Sequence, residues 1–287
     1  SFYFAEVAAM FGAAGLTFAG SLPAHTNFWD LCVRPEFQEL FRTTNNRLVT
    51  EAHKDFCANT AFRWDVYARE PRPLADVADR LREADDLHFH LPRPDTRLPW
   101  QANLGVVTST VQGPLYQALL EVLGDRSLRL AEIVADARLA GTPPTDMARA
   151  VDAGVAMGLF EVTAGPIAAA PARVAGPIAI PCPFNRMVLA TDLLAGRQLS
   201  LASTASGTGH TLGDLDAAIL HELASGGPDG LAARIDARLV ASDRCLQKDG
   251  TAVTDPAARL QLVRTACEAF AAGGLRRLAQ LGVVTAA

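Results

Sequence analysis

Apolar residues recur at helical spacing at Phe4, Val7, Ala8, Phe11 and Ala14, and Gly15 follows as a stop. LTFAGS then reads as a short strand ended by Pro23. Two further helical stretches, PEFQELFRT and NRLVTEAHKDFCANT, precede FRWDVYARE (62–70). In that last stretch Trp64, Val66 and Ala68 alternate with Arg63, Asp65, Tyr67 and Arg69, the period of a strand. A helical insert of about forty residues therefore joins two strands, longer than the usual connection. Residues 71–85 predict a proline-initiated, charged helix. LHFHLP (87–92) and WQANLGVVTSTV (100–111) predict a small β element between proline-rich turns.

The pattern changes at Gly113-Pro114. PLYQALLEVLG, LRLAEIVADAR and TPPTDMARAVDAGVAMG read as three helices, the third capped by Thr142 or Thr145, and GLFEVTA as a strand. Three helices followed by a strand form the outline of a winged helix. Residues Gly165 to Pro183 hold five prolines and almost no charge, and are expected to run extended over the surface. From Phe184 onward helices dominate: FNRMVLATDLLAG, DLDAAILHELA, LAARIDARLVASD and the long run from Ala258 to Gly282, preceded by the polar turn QKDGTAVTDP. The expected fold class is α+β, mostly helical. It comprises an N-terminal helix–strand–insert–strand unit with a small β element (1–112), a winged-helix-like module (113–176) and a helical C-terminal domain (177–287).

Charge narrows the choice of function. The 287-residue chain has formal net charge −5. Basic and acidic residues number 11 and 14 in 1–112, 5 and 7 in 113–176, and 10 and 10 in 177–287. No segment is basic, so the footprint of a phosphate-backbone binder is missing. The third helix carries Asp146, Arg149 and Asp152 among Ala, Val and Met, where a base-reading helix brings Arg, Lys, Asn or Gln. A winged-helix nucleic-acid-binding regulator is thus the alternative, and a protein-packing module the reading preferred for this segment. The five cysteines are widely spaced without C-x-x-C and read as buried thiols of a reducing cytoplasm. The longest nonpolar stretch, Val174 to Phe184, contains three prolines and is too short to span a bilayer. The chain opens in what reads as the first turn of a helix, and we take it as a piece of a longer protein.

Candidate chemistry is sparse. STASGTG (203–209) has the composition of a phosphate cradle, but no lysine follows it and no strong strand precedes it, so it reads as a loop. His88 and His90 share one face of a strand without a third ligand, and read as solvent-facing. His210 and His221 flank Asp214 and Asp216. The simpler reading there is a surface loop and a helix cap at Asp214. No G-x-S-x-G elbow or triad order supports a hydrolase.

Taken in order, FYFAEVAAMFGAAGLTFAGS, FRWDVYARE, GPLYQALLEVL, FNRMVLATDLLAGRQLSLASTASGTG and the KDGTAV turn resemble the predicted regulatory region of certain bacterial S-adenosylmethionine-dependent methyltransferases. More distantly they resemble protein lysine methyltransferases that modify outer-membrane proteins. The resemblance implies a non-catalytic accessory region whose parent transfers a methyl group, most naturally to protein. It also implies that STASGTG is a connector between helices. The cofactor, S-adenosylmethionine, would be held by a separate N-terminal catalytic domain. The acidic-x-Gly-x-Gly loop of such a domain is not in this sequence, so no catalytic, cofactor or metal residue is assigned. The implied partners are that N-terminal methyltransferase domain, a polypeptide substrate and a second copy in a homodimer; a membrane is not among them, and the implied compartment is the cytoplasm. Arg63, Arg69, Asn185 and Arg186 are the polar residues of the matching stretches and the candidate contacts. Their structural alternative is strand arginines pairing with acids, and an Asn-Arg helix start acting as a cap. The resemblance also implies that residues 1–70 form the tail of a catalytic sheet, with an open edge when that sheet is missing.

Overall fold

The computed structural model describes residues 2–72, 76–93, 95–174, 177–191, 193–194, 196–248 and 250–286. The chain divides into two compact units, Ser1–Val162 and Thr163–Ala287.

In the first unit, α1 (Phe4–Ala13) opens with the Glu6 carboxylate accepting from the Tyr3 backbone N–H at 2.7 Å, which occupies one of the free donors of the first turn. Gly15 ends it with positive φ. β1 (Thr17–Leu22) and β2 (Trp64–Ala68) pair antiparallel, with Phe18 opposite Tyr67, Ser21 opposite Asp65 and Leu22 opposite Trp64. Between them lie a 3-10 turn at Ala24–Asn27, α2 (Trp29–Cys32), a second 3-10 turn at Pro35–Phe37, α3 (Gln38–Thr43) and α4 (Arg47–Cys57). Asn46 caps α4, its side chain accepting from Leu48 and Val49 N–H at 3.0 and 3.2 Å. The Asn27 amide grips both backbone groups of Ser21 at 2.8 and 2.7 Å. A Cβ at Gly20 would lie 2.9 Å from the Asn27 Oδ1, so the clasp needs glycine there.

The rest of this unit holds α5 (Val77–Glu83), β3 (His88–His90) and the hairpin of β4 (Trp100–Asn103) with β5 (Thr108–Val111). There follow α6 (Pro114–Leu123), β6 (Leu128–Arg129), α7 (Leu130–Val134), a 3-10 turn at Ala137–Leu139, α8 (Pro144–Met157) and β7 (Glu161–Thr163). The expected charged helix is seen as α5; residues 73–75 of its predicted start lie outside the described residues. β3 is the centre of a three-stranded sheet in the order β6-β3-β7. Residues 88–90 thus pair with the strands that border the three helices. Phe89, Leu91, Leu119, Leu123, Ile133, Val151 and Phe160 fill one core. Gly154 lets the Phe160 ring close on α8, since a Cβ there would meet that ring at 2.3 Å. α8 starts after Pro143, with Pro144 as its first residue, so neither Thr142 nor Thr145 is the cap. Proline at that position loses no hydrogen bond because its N–H would be unpaired anyway.

The second unit begins with a proline-rich stretch that was expected to lie on the surface. It does so only in part: Ile167, Ile178 and Ile180 are buried, and β8 (Ile178–Ala179) pairs with β13 (Thr285–Ala286). α9 (Pro183–Thr191) leads to β9 (Leu199–Ala202) and β10 (Gly209–Leu212), an antiparallel pair. α10 (Asp214–Gly226) and α11 (Leu231–Ala241) follow, then the hairpin of β11 (Gln247–Lys248) and β12 (Thr251–Ala252), α12 (Pro256–Ala269), a π-helical turn at Phe270–Gly274 and α13 (Leu275–Gln280). Residues 192, 195 and 249, within the predicted α9 run and the KDGTAV turn, lie outside the described residues. Leu201, Ile219, Leu220, Ile235, Val263, Leu278 and Val283 anchor a large core. Among the described residues no helix is long and apolar enough to cross a membrane. The α+β class therefore holds, with helices around small sheets.

Candidate functional site

The strongest polar constellation sits on one face of the β1–β2 ribbon. Alternation along β2 turns Arg63, just before the strand, together with Asp65 and Tyr67, toward the helices. The Arg63 guanidinium donates to Asp55 at 2.7 Å, Glu51 at 2.8 Å and the Ser21 hydroxyl at 3.0 Å, and forks onto Asp65 at 3.0–3.1 Å. It also lies 4.4 Å from the centre of the Phe4 ring. Lys54 is buried beside Glu51 at 2.8 Å and donates to the Thr26 carbonyl. Burial opposes the Arg63 charge, but the hydrogen bonds to Asp65, Glu51 and Asp55 outweigh it and hold its proton more tightly than usual. Burial pushes the Asp55 carboxyl up, only partly offset by Arg63. The nearby Cys32 thiol is pushed up to about 11, by burial first, and is not a poised nucleophile.

With its side chain 16% exposed, Arg63 is spent on ties between α1, β1, α4 and β2. Arg69, one residue past β2, is exposed. Asn185 is fully buried: its Nδ2 donates to the Ala202 carbonyl at 2.8 Å and its Oδ1 accepts from the Ala202 N–H at 2.7 Å. Arg186 donates to the carbonyls of Ile180 and Pro181 at 2.7 and 2.8 Å. These contacts fix α9 against β9 and against the segment before it. The two arginines on the β2 stretch and the Asn-Arg pair on α9 belong to different units.

STASGTG departs from its expected place. It joins β9 to β10 as a hairpin loop, not one helix to another. Its Ser203 is buried and donates to the Leu281 carbonyl at 2.8 Å, accepts from the Ser206 N–H at 3.0 Å, and closes the hairpin through its backbone with Thr208. A nucleotide cradle needs glycines between a strand and a helix N-terminus with free N–H groups. After β10, α10 does start at Gly213, but Asp214 and Asp216 occupy its first turn and would repel an anion. Gly213, not Asp214, is the cap; Asp214 instead pairs with Arg244 at 2.6 Å.

The histidines are also placed differently. His90 was expected to face solvent but is 1% exposed, with Nε2 3.5 Å from a Glu161 carboxylate oxygen. Its strand lies mid-sheet between β6 and β7; His88, on the same face, is half-buried. Burial, then Arg277, lowers the His210 pKa; burial also lowers that of His221. Among the described residues no group of three His, Cys, Asp or Glu is placed to hold a metal. Of the thiols only Cys32 is buried, and Cys245 is exposed, against the expectation of five buried ones. α8 packs against the 3-10 turn at Ala24–Asn27 and against α5, α6 and α7, and Asp152 pairs with Arg80. The part of α8 left exposed is its first two turns, with Thr145, Asp146 and Arg149, which bring one basic and one acidic group.

Sequence reasoning missed the other face of the ribbon. There Leu22, Trp64 and Val66 are exposed, Trp64 at 64%, and Phe62, 77% exposed, stands edge-on to Trp64 at 6.5 Å. The signal was present in the strict alternation of β2; what it did not carry was which side the protein covers.

Residues 1–69, the ribbon with its insert, match the family described as a predicted methyltransferase regulatory domain. The fold of nearly the whole chain is similar to that of PKMT2 from Rickettsia typhi. The PKMT2 structure in complex with AdoHcy is 15% identical, with TM-score 0.59, covering 98% of this chain and 57% of that one. A second PKMT2 structure is 13% identical, with TM-score 0.56, covering 98% and 58%. At these identities the likeness is one of fold, and this chain spans less than two thirds of the PKMT2 length. No curated protein matches the sequence.

Proposed function

We propose that this chain is the non-catalytic accessory part of a bacterial S-adenosylmethionine-dependent protein methyltransferase. It associates with a catalytic domain and presents a polypeptide substrate or holds a dimer. The observation that carries the reading is the coincidence of two matches. The regulatory-domain family covers residues 1–69, and the same chain fits 98% of its length onto part of a protein solved with AdoHcy. The cofactor belongs to the catalytic domain, because the glycine-rich loop here is a pinned hairpin turn. Within that reading, the three helices and short sheet around β3 are a winged-helix-like packing module, supported by the packing of α8 against α5, α6 and α7. The compartment is the cytoplasm.

Calorimetric titration of S-adenosylhomocysteine into this chain tests the division of labour. The expected result is no binding heat at high micromolar concentration. Saturable binding would overturn the reading and place a cofactor site within these residues. Methylation of a polypeptide by the catalytic domain is expected to change when this chain is added.

A further inference from the structure

Between Arg97 and Glu121 the chain carries no charged residue, and the middle of this stretch is the hairpin of β4 and β5. One face of the hairpin is covered: Ala102 and Val111 are buried, and Trp100 packs against the core that holds α6 and α8. The other face holds Gln101, Asn103, Thr108 and Thr110, all exposed, with uncharged side chains that hydrogen-bond. The Leu104 N–H donates to the Val107 carbonyl at 2.9 Å, so these two residues form a bonded pair. By alternation Ala102–Ser109 and Trp100–Val111 are the next bonded pairs. The N–H and C=O groups of Thr108 and Thr110 therefore point away from β4, and Gln112 continues their phase. Among the described residues no third strand lies beside the hairpin, and no group hydrogen-bonds these outward positions. Solitary edges are usually blunted by charge or proline. On the β4 side Pro99 falls in the outward phase and offers no N–H; on β5 nothing of the kind stands guard.

We propose that the β5 edge takes up an extended segment of the polypeptide substrate as a third strand. Strand addition reads the backbone amides that every polypeptide has, so it needs no charge on either partner. The absence of charge along the hairpin fits this and gives a nucleic acid or a charged motif nothing to hold. The side chains beside the edge set a preference. An added strand places every second residue next to Thr108 and Thr110, where Ser, Thr, Asn and Gln form cross-strand hydrogen bonds and a charge stays unpaired. Size argues for a substrate over a second copy. β5 has four residues, Thr108–Val111, and spans about 13 Å. A stable dimer buries about 1,200–2,000 Å², far more than such an edge provides. A short edge gives a weak and reversible contact, which is what a polypeptide that must leave after reaction requires. This inference rests on the accessory reading above and adds to it the edge that holds the substrate and the class of segment it holds.

The test titrates the heptapeptide acetyl-Asn-Thr-Ser-Val-Thr-Asn-Gly-amide into the 287-residue chain and follows its amides in nitrogen–proton correlation spectra. Saturable shifts are expected at Thr108 and Thr110. The fully N-methylated peptide, which keeps the side chains and loses every donor, is expected not to bind. Thr110→Pro removes an outward N–H without breaking a bond to β4, and is expected to weaken binding roughly tenfold or more. Thr108→Lys puts a guard on the edge and is expected to do the same, should the proline variant fail to fold. Shifts that leave Thr108 and Thr110 unmoved, or equal binding of the methylated peptide, would overturn the edge. Shifts at these amides that follow protein concentration without peptide would overturn it in favour of a second copy. In methylation of a polypeptide by the parent's catalytic domain with this chain, Thr108→Lys is expected to raise KM and spare kcat. An effect of the chain that Thr108→Lys leaves untouched would overturn the edge as substrate site while the accessory reading stands. Peptide binding at the edge with no effect of the chain on methylation would overturn the accessory reading instead.

Discussion

Two antiparallel strand pairs in this chain dispose of their side chains in opposite ways. In β9–β10, Leu199, Leu201 and Leu212 point into the large core of the second unit, and Ser200 and Thr211 face outward with their hydroxyls 3.4 Å apart. In β1–β2 the covered side is mixed, with Phe18 and Tyr67 beside the interlocked Arg63, Asp65 and Ser21, and the exposed side is apolar. The first pair follows the usual rule for a half-buried sheet. The second breaks it, and the break coincides with the segment that matches the methyltransferase regulatory family. An ordinary hairpin is finished by its own core; this ribbon is held by ion pairs and aromatic contacts on one side and, among the described residues, leaves Leu22, Trp64 and Val66 exposed on the other.

The sharpest way to break that comparison is to remove the arginine that holds the inner face. Arg63→Ala strands Asp55 and Asp65 without their counter-charge and leaves Glu51 to Lys54 alone, and is expected to destabilise the first unit by about 3–5 kcal/mol. All three tryptophans, Trp29, Trp64 and Trp100, lie in that unit, so urea unfolding followed by tryptophan fluorescence reads it selectively. An unchanged midpoint would mean that the network is dispensable. In the second unit, Leu201→Ala opens a cavity in a packed core and is expected to cost about 2–5 kcal/mol in the far-UV unfolding transition. The matching truncation on the bare face, Val66→Ala, is expected to stay within about 0.5 kcal/mol in the isolated chain. A large loss at Val66 would show that the face is covered after all.

Asn185→Ala is a smaller disruption. It leaves the Ala202 N–H and carbonyl buried without a partner, an expected loss of about 1–3 kcal/mol in the second unit. The smallest effect is electrostatic and differs in sign between the units. For Glu222, burial raises the pKa, but hydrogen bonds from Arg238 and Arg234 outweigh it and leave the folded value below the ordinary 4.5. Its stabilisation is therefore complete above that value and is lost as pH falls through the lowered one. Asp55 is the reverse: its folded pKa lies above the ordinary 3.8. Its contribution is most favourable below 3.8 and declines as pH rises through the folded value. Unfolding midpoints measured from neutral to acidic pH, with Glu222→Gln and Asp55→Asn as references, should show the two slopes diverge. Parallel slopes would refute the assignment.

Much of the architecture was legible without coordinates, because it depends on local rules. The apolar spacing of Phe4, Val7 and Phe11 marked α1, and the alternation of Trp64, Val66 and Ala68 against Asp65 and Tyr67 marked β2. The proline-led starts of α6 and α8 followed from the lack of a needed donor at those positions. The first of the quoted stretches, FYFAEVAAMFGAAGLTFAGS, lies within the residues 1–69 that match the predicted methyltransferase regulatory domain.

What the chain alone did not reveal depends on contacts between residues far apart in sequence. A strand of period two has two faces, and in a half-buried sheet apolar residues such as Trp64 and Val66 usually turn inward. The choice went the other way because Arg63 found three carboxylates, two of them on a helix closed over the ribbon by the insert. His90 looked exposed until β3 was flanked on both sides by strands from beyond the hairpin that follows it. STASGTG looked like a connector between helices until Ser203 reached Leu281, on a turn seventy-eight residues away in sequence. In each case the local pattern determined the element, while its burial and partners were decided only by which distant groups the folded chain brought against it.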